Sequence, residues 1–284
     1  MKPAVRYYGG KGRMAPWITS LLPPHRAYIE PFFGAGAVLF AKNPTHSELI
    51  NDVDGMVVNF YRVLRSNVDE LIEQLRLTPY SRDEYNACKG AYEDKTADPV
   101  ERARRFFVTV SMSFACTTGS ASGFSASMKK SVNRARTTSY YVDRLPAIAD
   151  RLRHVMIENH DAITVIDTHG DARDCLIYCD PPYVHDTRET SSVGGGHGYR
   201  HEMTDDDHRA LAASLHATPA TVILSGYPGA LYDELYADWD RVERSAYSTV
   251  AGINTHADTT ARTEVLWSNR PILDGRLPFD GNAA

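Results

Sequence analysis

Residues 175–183 read Cys175-Leu-Ile-Tyr-Cys-Asp-Pro-Pro-Tyr183, and the way this run stops decides the fold. Leu176, Ile177 and Tyr178 make a short apolar stretch ending on two prolines, the pattern of a buried strand delivered into a polar corner. Each proline fixes its own φ and removes a backbone donor, so residues 180–183 form a stiff bend. Its free carbonyls and the Asp180 carboxylate can then point together into a crevice. Such a corner offers acceptors and an aromatic face but no strong nucleophile. It suits holding a flat, amine-bearing ring and suits covalent catalysis poorly. Asp-Pro-Pro is equally an ordinary turn, since both residue types favour turns for local reasons. A second motif upstream tips the balance.

That motif is Tyr28-Ile-Glu-Pro-Phe-Phe-Gly-Ala-Gly-Ala-Val-Leu-Phe40. An apolar strand entry, a Gly-x-Gly turn and an apolar helix start are the parts of a βα loop in which missing side chains let the backbone approach a ligand closely. A dinucleotide fingerprint would carry a third glycine where Leu39 stands, which argues against a pyrophosphate site and a nicotinamide oxidoreductase. A second strand, 46–50, ends at Asn51-Asp52, and Asp52 lies 18 residues after Gly34. An acid at the tip of the second strand is placed to accept hydrogen bonds from ribose hydroxyls, so glycine loop and Asp52 together point to an adenosine-containing ligand.

Outward from these two motifs the chain alternates strands and helices, an α/β pattern, with one interruption. Strands are expected at 155–158, 221–224, 241–247 and 263–267, and helices at 15–22, 162–168, 204–216 and 231–239. Thr204 and Asp207 form a capping-box pattern. Between 56 and 115 the apolar spacing is helical throughout (56–75, 82–92, 100–115), and 116–138 is polar and basic. This stretch reads as an inserted helical domain carrying a functional or merely disordered surface loop. Residues 184–203, with Arg188 and three successive glycines, read as a mobile lid. Asp161 either bonds a ligand amine or caps the helix that follows it.

The net charge of −5 argues against a simple basic nucleic-acid binder, but the charge is uneven. The segment 98–156 is about +6 and the rest about −11, a split that would let one face approach phosphates. The four cysteines, Cys88, Cys116, Cys175 and Cys179, lack zinc-like spacing and are expected to be reduced and mostly buried. No run approaches the apolar length of a membrane span, and the N-terminus has no apolar signal-peptide core, so a cytosolic location is expected.

Tyr7 to Lys11, the Glu30–Gly36 loop, Asn51-Asp52 and Asp180-Pro181-Pro182-Tyr183 occur in that order, followed by Arg262-Thr-Glu-Val-Leu-Trp-Ser-Asn269. With these motifs the sequence resembles the Dam-type (D12 class, alpha-group) family of DNA adenine-N6 methyltransferases, the phage-like members especially. The resemblance covers nearly all of the chain outside 80–153. It implies a Rossmann-like, mixed seven-stranded sheet binding S-adenosylmethionine, residues 1–54 and 154–284 forming the catalytic domain and 55–153 a helical DNA target-recognition domain. Carried over by motif, Tyr7, Lys11, Glu30, Pro31, Phe32, Gly34, Ala35, Gly36, Asp52, Asp161 and Asp180 would bind the cofactor. Asp180, Pro181, Pro182 and Tyr183 would form the catalytic corner, and Lys129, Lys130, Asn133, Arg134, Arg136 and Arg188 would contact DNA. The expected activity is site-specific methyl transfer to N6 of an adenine flipped out of duplex DNA, by a monomer that needs no metal. The basic loop around 119–138 does not match the recognition loop of GATC-specific members. An RNA adenine methyltransferase and a non-catalytic nucleic-acid-binding relative are the alternatives.

Overall fold

The computed structural model describes residues 1–114, 116, 123–126, 133–184, 200–247 and 261–272. Seven strands form one sheet: β1 (Ala27–Glu30), β2 (Ser47–Asn51), β3 (Val155–Glu158), β4 (Cys175–Cys179), β5 (Thr221–Gly226), β6 (Asp240–Tyr247) and β7 (Ala261–Ser268). Their spatial order is β3-β2-β1-β4-β5-β7-β6. The first five run parallel, with Ile29 opposite both Leu49 and Ile177, and β7 enters antiparallel between β5 and β6. The sheet is the mixed seven-stranded α/β arrangement that the resemblance implied.

The alternation in β4 shows why both faces must be covered. All five of its residues are buried. Leu176 and Tyr178 pack into one core, while Cys175, Ile177 and Cys179 pack into the other. The second core is closed by α9 (Ala162–His169), α10 (Asp205–Ala217) and α11 (Ala230–Leu235) through Ile166, Leu211, Leu215 and Tyr232. All four cysteines are free and buried. Thr204 and Asp207 cap α10 reciprocally, as their spacing predicted.

The first core joins the sheet to the helices of the expected insertion. Tyr28, Leu176, Tyr178 and Ile223 pack with Val57 and Phe60 of α3 (Gly55–Ser66), Phe106 and Val110 of α6 (Pro99–Met112), and Leu145 and Leu152 of α8 (Leu145–Leu152). The expected boundary at 54/55 therefore crosses a continuous core. Among the described residues Tyr85 and Cys88 of α5 (Arg82–Gly90), with Val108 and Met112 of α6, form a small satellite cluster. Burial of large side chains, at about 1.5–3 kcal/mol each, ties α3, α6 and α8 to one another and to the sheet in one core, with the Phe60 ring of α3 5.1 Å from that of Phe106 on α6.

Two local readings change in the structure. The apolar period at 56–75 is split into α3 and α4 (Val68–Leu77) at Asn67, whose φ of −136° leaves the helical region. Part of the expected polar loop is helical: α7 (Arg134–Val142) starts at Asn133, whose side chain accepts from the Arg136 amide. Among the described residues no helix is long and apolar enough to cross a membrane.

Candidate active site

The parallel strands deliver their C-terminal ends to one edge of the sheet. The chain leaves β1 toward β2 on one side and has β4 on the other, so the ends of β1, β2 and β4 flank a topological switch point, where ligands of such sheets bind. Glu30 closes β1, Asp52 follows β2 and Asp180 follows β4. All three line one open cleft, together with Tyr7, Lys11, Phe32, Gly34, Ala35, Gly36, Asp54 and Pro182.

The cleft floor is braced by side-chain bonds between strand tips. Asn51, 1 % exposed, donates to the carbonyls of Pro31 and His160 (both 3.0 Å) and accepts from the His160 amide at 2.8 Å. The glycine loop is held by Asp52, whose Oδ2 accepts from the Gly34 amide at 2.8 Å while Oδ1 accepts from the Asp54 amide at 2.9 Å. Gly36 has φ +65°, and a Cβ there would lie 2.2 Å from the Phe33 ring. A side chain is excluded on both counts.

Acids outnumber bases here. Glu30 accepts from the Tyr28 hydroxyl at 2.8 Å and the Leu39 amide at 3.2 Å, and burial pushes its carboxyl up to about 8. Burial, with Asp54 adding to it, pushes Asp52 up to about 7. Oδ2 of Asp54 is buried with no hydrogen-bond partner among the described residues. Four carboxylates against Lys11 and Arg200 make a wall suited to a ligand carrying positive charge.

At the β4 end Asp180 has a cation of its own. Lys11, 7 % exposed, reaches Asp180 Oδ1 at 2.9 Å and Glu264 Oε1 at 3.3 Å, and donates to the Tyr183 hydroxyl. That hydroxyl donates in turn to Glu264 Oε1 at 2.5 Å, and Ser225 Oγ donates to the same oxygen at 2.6 Å. Lys11 Nζ stands 4.4 Å from the centre of the Tyr183 ring, and Tyr227 packs edge-on against it at 4.5 Å. Burial raises Asp180 to about 6 even though Lys11 pulls it down.

The structure thus brings together Tyr7, Lys11, Glu30, Phe32, Gly34, Ala35, Gly36, Asp52, Asp180 and Pro182. Pro31, Pro181 and Tyr183 adjoin these residues in sequence without lining the cleft themselves, and Tyr183 is 8 % exposed. Asp161 does not reach the cleft: its Oδ1 accepts from the amides of Ile163 and Thr164, so it caps α9, the alternative weighed against ligand binding. Of the expected DNA contacts, Arg134 lines a small second cleft with Arg6, Ser111 and Tyr141, and Asn133 serves as the α7 cap. Arg136 is exposed on α7, while Lys129, Lys130, Arg188 and the expected lid lie largely or wholly outside the described residues.

Glu264 and Ser225 were missed by sequence reasoning. A signal existed: Thr-Glu-Val-Leu-Trp puts a carboxylate on the same strand face as Leu266, an inward position where a glutamate needs partners.

Residues 7–250 match the D12 class N6 adenine-specific DNA methyltransferase family. The chain is 27 % identical to a type II methyltransferase of Lactococcus lactis subsp. cremoris, over 84 % of this chain and 86 % of that protein. It is 26 % identical to a DNA adenine methylase of Haemophilus influenzae over 68 % of each chain. It is also 26 % identical to the DNA N-6-adenine-methyltransferase of Escherichia phage P1, over 82 % of this chain and 31 % of that one.

Proposed function

The chain belongs to the D12 class N6 adenine-specific DNA methyltransferases, and from that premise we propose that its cleft binds S-adenosylmethionine opposite an adenine flipped out of duplex DNA. The observation carrying this reading is that Asp52 and Asp180, on strands either side of β1, line one cleft. The donor set fits the cofactor. Glycine backbone at 34 and 36 allows close approach, Asp52 at the tip of β2 suits ribose hydroxyls, and the excess of carboxylates suits a sulfonium and an ammonium. When bound, the cofactor supplies an electrophilic methyl group.

The chain's own residues do the rest. An adenine inside a duplex cannot reach that methyl, so it must leave the stack at a cost of a few kcal/mol. Asp180 and the carbonyl of Pro181 accept hydrogen bonds from the exocyclic amine and orient its lone pair. The Asp180 carboxylate also meets the positive charge that grows on the amine, in a buried setting where such charge pairing is strong. Pro181 and Pro182 keep the acceptors in place without bonds of their own to break. Tyr183 would supply the aromatic face for the extruded ring. Its buried hydroxyl is held by Glu264 and Ser225, so this role requires the ring to be uncovered when DNA enters. Arg134 and Arg136 on α7 would contact phosphates.

Incorporation of labelled methyl into duplex DNA and structured RNA, followed by digestion to nucleosides, tests this reading. Label in N6-methyladenine from the duplex is expected. Label confined to RNA, or no measurable cofactor binding, would overturn it.

A further inference from the structure

The corner around Asp180 contains more charge than the reaction as described uses. Asp180 and Glu264 are both carboxylates, both within ion-pairing distance of the single ammonium of Lys11, at 2.9 and 3.3 Å. Glu264 comes from β7, a different strand from the one that delivers Asp180, and is 4 % exposed. A buried carboxylate so far from solvent is costly unless partnered, and this one accepts from Tyr183 and Ser225 and is ion-paired with Lys11.

The Lys11–Asp180 pair is an obstacle to transfer as it stands. Oδ1 of Asp180 already holds the ammonium, and an amine gaining positive charge would grow it beside another cation. With Lys11 and Asp180 alone the corner would be neutral, and nothing would offset the new charge. With Glu264 the set of three carries one net negative charge.

We propose that Glu264 is a positioning residue that takes over Lys11 when the target amine docks, freeing Asp180 as acceptor and keeping the corner one charge negative. This rests on the reading of Asp180 as the amine's acceptor. The hydrogen-bond chain is already directed for it: Lys11 donates to the Tyr183 hydroxyl, which donates to Glu264. Moving Lys11 toward Glu264 shortens a contact that exists and lengthens the one to Asp180. No proton changes hands.

The test is the pH dependence of single-turnover transfer at saturating S-adenosylmethionine, for wild type and Glu264→Gln. The charged and titratable groups around Asp180 are Lys11, Glu264, Tyr183, Tyr178, Cys179 and, at the end of β1, Glu30. Arg200 and His201 line the same cleft. Of these only Glu264 is altered. Its charge pushes Asp180 up, so its removal should move the acid limb of the profile to lower pH by about half a unit or more. The plateau should fall about tenfold to a hundredfold, because Lys11 now stays on Asp180. Cofactor affinity should hold within about threefold, since Glu264 is not on the cleft wall.

A lowered plateau with an unmoved acid limb would mean a structural role only and would overturn the proposal, as would a wild-type plateau. Should the glutamine variant fail to fold, Glu264→Asp carries the test. It keeps the charge, so its acid limb should stay with wild type while the rate drops less than about tenfold; a limb displaced downward contradicts the proposal. Asp180→Ala, run alongside, separates the two layers. If it retains transfer, the reading of Asp180 fails. If it is inactive while Glu264→Gln matches wild type, only the handover fails.

Discussion

The two ends of the cleft are both built from buried or half-buried carboxylates at strand tips, yet they are neutralised differently. At the β1–β2 end Glu30 and Asp52 accept from backbone amides and a tyrosine and make no ion pair among the described residues, and burial holds them near 8 and 7, although Lys42 pulls Glu30 down. At the β4 end Asp180 is paired with Lys11 and held near 6. On the proposed function, the first end is completed by a ligand that brings positive charge, and the second, which carries its own cation, must release it. One end would then be a binding device and the other a reaction device, and substitutions at the two should fail in different ways.

The largest effect belongs to the reaction end. Asp180→Ala should lower single-turnover methyl transfer by about a hundredfold to a thousandfold or more, the scale of losing a preorganised partner for developing charge. A variant within about threefold of wild type would break the comparison. Wild-type transfer should rise with pH through about 6 as Asp180 ionises.

At the binding end Gly36→Ala should destabilise the fold by about 2–4 kcal/mol. Its φ of +65° and a Cβ 2.2 Å from Phe33 add backbone strain to overpacking. Urea unfolding measures this, and a loss below about 0.5 kcal/mol would mean that the turn relaxes freely.

The titration of the binding end sharpens the contrast. At pH 7 Glu30 is mostly protonated, so a cationic ligand should expel protons on binding and bind more tightly from pH 6 to 8. Calorimetry in buffers of different ionisation heat reads the proton release directly. The apoprotein should show the complementary trend. Glu30 has a folded pKa of about 8 against an ordinary 4.5, so the unfolded state holds fewer protons in that window and stability falls as pH rises through it. Glu30→Gln should flatten that fall; an unchanged slope would reassign it.

The smallest effect lies on α7. Arg134→Ala should weaken duplex binding by about 1 kcal/mol irrespective of sequence and lower the salt dependence of binding by about one phosphate contact.

Much of this was legible in the sequence, for reasons that particular residues make plain. The strands and the order of the motifs follow from apolar runs ending in Glu30, Asp52 and Asp180, because a parallel sheet buries whole runs and spends its polar residues at the tips. The packing of the helices at 55–152 was not legible in this way. Helical periodicity reports an apolar face but not what it packs against, and Val57, Phe60 and Leu145 share one core with Tyr28 and Tyr178 of the sheet. Asp161 shows the same limit, since a cap and a ligand both draw on a carboxylate at a strand exit. Glu264 was hidden because its partners, Lys11, Tyr183 and Ser225, are scattered over more than two hundred residues of chain and meet only in the fold.

The central claim is that one cleft divides these labours between Asp52 and Asp180. It is tested most directly by titrating S-adenosylmethionine calorimetrically into Asp52→Asn and Asp180→Ala side by side. The account predicts that the Asp52 variant loses about tenfold or more in affinity, while the Asp180 variant stays within about fivefold of wild type despite its lost transfer. Equal losses in both, or a loss confined to Asp180→Ala, would contradict it.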